Sequence, residues 1–91
     1  MASVTLRGFI LVPDEDMQSV RRELPVHVEL TRAEPGCLVF DVTPNENDPN
    51  HFDVYEEFDS RAAFEAHQAR VESSRWGQVS ARVERHYEIL E

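Results

Sequence analysis

Two runs of alternating apolar and polar residues, Cys37 to Thr43 and His51 to Phe58, flank a loop at the centre of this chain. The loop, Pro44 to Asn50, holds three Asn, two Pro and two acids, which is turn chemistry. A central hairpin of this kind leaves two flanks of similar length, and each reads as one strand joined to one helix. The predicted order is therefore β-α-β-β-α-β, a ferredoxin-like α+β fold with a four-stranded antiparallel sheet and its helices on one face.

The first flank opens with Val4 to Val12, where both parities carry apolar side chains, as a central strand requires. Pro13 ends it, and Asp14, Glu15 and Asp16 put negative charge where the macrodipole of a starting helix favours it. Met17, Val20 and Leu24 follow at helical spacing. Pro25 removes one backbone donor, so a kink or restart is expected there, with Val26 to Glu34 as a second segment. Gly36 supplies the stop.

In the strand after it, Leu38, Phe40 and Val42 form the candidate core face. In the returning strand that face holds Phe52, Val54, Glu56 and Phe58. Asp59 or Ser60 caps the next helix, whose packed face is Phe64, His67 and Val71 at i, i+3 and i+7. Ser73 and Ser74 break it before a short helix with Trp76 and Val79, and Arg82 to Leu90 alternates as the last strand. The uncovered sheet face is expected to hold Val39, Tyr55, Tyr87, and Phe9 or Leu11, and an exposed apolar face calls for a partner.

At 91 residues the chain reads as one domain, 1–91, whose small core gains from dimerisation. Eighteen acidic residues against nine arginines, with no lysine, give a net charge of −9, which opposes nucleic acid and anionic membranes. Cys37 is the single cysteine, so an intrachain disulfide and Cys-based zinc spacing are excluded, and a reducing cytoplasm fits. It reads as a small buried hydrophobe. The apolar run Phe9 to Val12 is too short for a signal peptide or a membrane span. With three glycines in all, no phosphate loop or dinucleotide fingerprint occurs.

Glu34-Pro35-Gly36-Cys37-Leu38-x-Phe40-x-Val42, the acidic loop, Tyr55-Glu56-Glu57-Phe58 and Ala62-Ala63-Phe64-Glu65-Ala66-His67 together resemble the antibiotic biosynthesis monooxygenase family. The resemblance runs from about Pro25 to Tyr87, with Phe58 standing where the family's strand ending usually has tryptophan. It implies two sheets meeting face to face as a dimeric α+β barrel. It further implies a pocket in each subunit and a cofactor-independent oxidation by O2 of a quinol, phenol or polycyclic aromatic.

A pocket between helices and sheet makes polar groups on inward faces the candidates. His67 is the candidate base, its alternative a core histidine bonded to a backbone carbonyl. Glu56 orients His67, pairs with Arg70, or reaches solvent at the pocket mouth. Trp76 either stacks on a flat substrate or plugs one end of the core. Phe40 and Phe64 are core residues or pocket lining, and His27 lines the pocket or lies on the surface. His86 and Glu88 share a strand face, but two ligands on one strand make no closed metal site, and His51 reads as solvated. Haem degradation, an activity of relatives, is disfavoured because the first strand lacks Asn.

Two other functions use the same residues. One is an isomerase or other proton-transfer enzyme on a small carbonyl compound. The other is a non-catalytic dimeric ligand-binding module whose pocket is filled by Phe40, Phe64 and Trp76. A cavity of a few hundred cubic ångströms with His67 on its wall separates an enzyme from such a module.

Overall fold

Val4–Leu11 forms β1, the strand on which the sheet is built. The computed structural model describes residues 3–91, so Met1 and Ala2 of the expected 1–91 domain lie outside it. After β1 come a 3-10 turn (Asp14–Asp16), α1 (Met17–Arg32), β2 (Cys37–Pro44), β3 (His51–Phe58), α2 (Arg61–Glu72), the short α3 (Arg75–Val79) and β4 (Glu84–Leu90). The strands are antiparallel in the order β2-β3-β1-β4, the ferredoxin-like α+β arrangement with β1 central.

Parity sorts the sheet. Val4, Leu6 and Ile10 of β1 pair across the ladder with Phe58, Glu56 and Phe52 of β3, and all six are buried under the helices. Val20, Phe64 and Trp76 close over this layer. The hydroxyl oxygens of Ser60 and Ser74 accept from the Ala63 and Gly77 backbone N–H groups, so each serine caps the helix it precedes.

Three expectations fail for identifiable reasons. α1 runs unbroken through Pro25. Both Pro25 and Arg21, four residues before it, are exposed, so the carbonyl that loses its helical donor faces water at little cost. Leu38 is 57 % exposed because β2 shifts register between Cys37 and Val39, a bulge that turns Cys37 inward opposite Phe58 and leaves Leu38 unmatched. Tyr87 pairs with Gly8, on the parity of Leu6 and Ile10, and so lies on the helix side of the sheet.

On the open face Phe9 is stacked between two imidazoles. Its ring centroid is 4.5 Å from that of His51 and 4.6 Å from that of His86, with planes within 16° of parallel. Arg7 and Glu88 form an exposed ion pair beside them, and Tyr55 donates to Glu57. Among the described residues no helix is long and apolar enough to cross a membrane, and no group of three or more side chains is placed to hold a metal ion.

Candidate active site

A cavity of about 270 Å³ lies between the helices and the sheet, walled by Leu6, His27, Glu56, His67, Gln68, Val71, Trp76, Arg85 and Tyr87. Each wall residue arrives by a simple rule. Glu56 falls on the inward parity of β3, and His67 is one turn beyond Phe64 on the packed face of α2. His27 projects from α1 one turn before buried Thr31, whose hydroxyl caps back onto the His27 carbonyl at 2.8 Å. Trp76 is delivered by the short helix that Ser74 starts.

His67 is held from one side only. Its Nδ1 lies 2.9 Å from Glu34 Oε1, while its Nε2 faces Glu56 Oε1 at 4.0 Å, beyond hydrogen-bond reach. Glu34 is itself fixed by Arg70 Nε, and Arg70 Nη2 donates to Thr31 Oγ1 at 3.0 Å. A carboxylate on Nδ1 selects the tautomer with hydrogen on that nitrogen, which leaves the Nε2 lone pair directed into the cavity. Glu34 rather than Glu56 is thus the residue that orients His67, and Arg70 pairs with Glu34 rather than with Glu56.

The buried acid and bases are shifted in the directions their surroundings dictate. Burial, reinforced by the nearby Glu34 charge, pushes the Glu56 carboxyl up to about 7. Its Oε1 has no hydrogen-bond partner among the described residues. Burial also lowers His67, against the opposing pull of Glu34. His27 is taken down to about 3 by burial, reinforced by its neighbours His67, Arg70 and Arg85, so its ring is neutral. Tyr87, whose hydroxyl burial pushes up to about 12, is a neutral donor on the wall.

The remaining candidates divide. Phe40 packs beneath the two imidazoles, 5.3 Å from His27 and 5.7 Å from His67 between centroids, and Phe64 packs against Phe58; neither lines the cavity. Trp76 and His27 stack on one another and do line it. Among the polar groups around the cavity, Glu34, Gln68, Arg85 and Tyr87 had no sequence assignment to the site. Arg85 donates to the Ser80 and Val83 carbonyls and to Ser80 Oγ, and among the described residues it has no acidic partner.

A four-stranded ferredoxin-like sheet whose inward face sets Glu56 opposite His67 in one cavity defines the class of small α+β domain to which the chain belongs. Residues 3–78 match the sequence model of the antibiotic biosynthesis monooxygenases, and the chain belongs to that family. Solved structures share its fold. A Nitrosomonas europaea protein, provisionally described as an antibiotic biosynthesis monooxygenase, has a TM-score of 0.78 at 21 % identity over 98 % of this chain and 94 % of its own. A Pseudomonas aeruginosa protein has 0.76 at 25 % identity over 99 % and 91 %. One from Deinococcus radiodurans, described like the first, has 0.74 at 21 % over 99 % and 91 %. No functionally curated protein matches the sequence.

Proposed function

We propose that the chain is a cofactor-independent monooxygenase that oxidises a quinol, phenol or polycyclic aromatic in this cavity, as a homodimer paired through the open sheet face. The observation that carries the reading is the cavity of about 270 Å³ with the free edge of His67 and the unpartnered carboxyl of Glu56 on its wall. A non-catalytic module would have filled that space with Phe40, Phe64 and Trp76. Two of these instead lie outside it.

In the reaction His67 Nε2 takes a phenolic proton, and the resulting electron-rich anion passes an electron to O2. Recombination forms a C–O bond to a peroxide. As the O–O bond breaks, Glu56, close to half-protonated at neutral pH, gives its proton to the leaving oxygen. One oxygen atom enters the carbon skeleton and the other departs as water. Two hydrogens and four electrons come from the substrate, so the protein's protons are restored. Trp76 and His27, lying flat on each other, present an aromatic wall to a planar ring.

Oxygen consumption by metal-stripped protein, measured against a panel of quinols and polyphenols beside His67→Ala, tests this. The reading requires acceleration by the wild type and its loss in the variant; uptake equal to the uncatalysed rate across the panel overturns it. The 4.0 Å approach of an acid and a base also equips the cavity for a proton shift on a carbonyl compound. Anaerobic exchange of substrate C–H for deuterium, lost in His67→Ala, identifies that second reading.

A further inference from the structure

His67 is a partition between two hollows. Its Nε2 edge faces the cavity, whose rim carries the exposed Gln68, Arg85 and Tyr87, and the same ring also lines a separate groove of about 210 Å³ formed by Glu34, Pro35, Ala63, Ala66, His67 and Arg70. The ring itself is almost wholly buried, 4 % exposed, so it touches bulk water on neither side directly. Glu34, on the groove side, has its side chain 14 % exposed.

We infer that Glu34 is a positioning residue for His67 and also the group through which the ring exchanges its Nδ1 proton with water in the outer groove, so that the charge of a proton taken in the cavity is held away from the substrate until the peroxide collapses. The inference rests on His67 acting as the base. A proton arriving at Nε2 makes the ring an imidazolium, and the hydrogen on Nδ1 then passes to Glu34 Oε1 over the 2.9 Å contact. From Glu34 it reaches groove water. The ring is left with hydrogen on Nε2, which it returns to the cavity when the peroxide collapses, and Glu34 hands one proton back to Nδ1. No net proton is consumed.

The surrounding charges suit a relay in this direction. Arg70 on α2 lies against Glu34 and fixes its carboxyl group facing Nδ1. On the cavity side stand Glu56 from β3, Arg85 and Tyr87 from β4 and His27 from α1, and none of them lies within hydrogen-bond distance of the ring. The groove is therefore the side with a bonded acceptor.

Nitrogen-15 NMR of the intact protein tests the relay without any substrate. The wild type should show the His67 ring with hydrogen on Nδ1. Exchange of that hydrogen with water should slow by about tenfold or more in Glu34→Gln, while Glu56→Gln leaves it unchanged. Should Glu34→Gln fail to fold, Glu34→Asp, which keeps the charge but withdraws it by one methylene, should slow exchange as well. An unchanged rate in the Glu34 variants, or equal slowing in Glu56→Gln, overturns the relay. Because the readout needs no turnover, relay-type exchange with no oxygen uptake would remove the monooxygenase reading alone, and His67-dependent uptake with groove-independent exchange would remove the relay alone.

Discussion

His27 lies flat against Trp76, ring centroids 4.7 Å apart and planes 8° from parallel, with no hydrogen-bond partner for its Nδ1 among the described residues. The pair forms one wall of the cavity, and the imidazole is neutral because burial brings its pKa down to about 3. In the unfolded chain the same group titrates near its ordinary value. The unfolded state therefore binds more protons between about pH 6.5 and 3, and stability is lost as pH falls through that window.

His27→Phe keeps the stack and removes the titration. At pH 7.5 the variant should stay within about 1 kcal/mol of the wild type, and at pH 5 it should gain about 2 kcal/mol relative to that difference. Urea unfolding at the two pH values measures both. A pH-independent difference would mean that His27 is not the buried neutral base described.

Glu56 acts in the opposite sense. Its folded pKa of about 7 lies above the unfolded value, so its contribution to stability is complete below about pH 4.5 and is lost as pH rises to 7. Glu56→Gln should leave stability at pH 4.5 nearly unchanged and raise it at pH 8 by on the order of 2 kcal/mol, since the variant buries no charge. Thermal unfolding at both pH values checks the sign. The same substitution removes the proton donor, so any oxygen-uptake activity should fall while stability rises.

Gly36 sets the turn that brings Glu34 to His67. Its φ is +87°, and a Cβ there would lie 2.6 Å from both the Ala63 Cβ and Asp59 Oδ1. The Asp59 N–H also donates to the Gly36 carbonyl at 2.8 Å, tying the turn to the end of β3. Gly36→Ala combines an unfavourable backbone conformation with two close contacts, and should cost about 2–3 kcal/mol in denaturant unfolding. A neutral substitution would show that the turn relaxes freely.

The hairpin, the strand parities and the helix faces were legible in the sequence because a period of two or 3.6 residues is written in the residues themselves. Phe52, Val54, Glu56 and Phe58 all point where their alternation says. The Leu38 bulge was not legible, because one extra residue changes the facing of its neighbour without changing any residue type. Tyr87 was misplaced because the parity of an edge strand depends on register with β1, which sequence does not carry. Glu34 was missed as a partner because it lies 33 residues from His67 and meets it only where the turn between α1 and β2 folds against α2. One signal was available: an acid at the C-terminal end of a helix opposes the macrodipole, so its presence calls for a cationic or hydrogen-bonding partner elsewhere.

Phe9 carries the last prediction. It sits in the middle of the open face, in line with Asp53 on β3 and His86 on β4, and is clamped between His51 and His86. Around it Tyr55 and Leu90 are 38 % and 40 % exposed on the same parity, so the face offers apolar area that the helices do not cover. For a second copy to cover it, the centre must desolvate. Phe9→Glu places a carboxylate there, among Asp53, Glu57, Glu84 and Glu88, in a chain already at −9. Burying that charge unpaired costs several kcal/mol, and the like charges of two copies add to it. Sedimentation velocity should find the wild type dimeric and Phe9→Glu monomeric, with unfolding of the wild type shifting to higher denaturant as protein concentration rises. A wild type that sediments as a monomer at every concentration would remove the sheet face as the dimer interface.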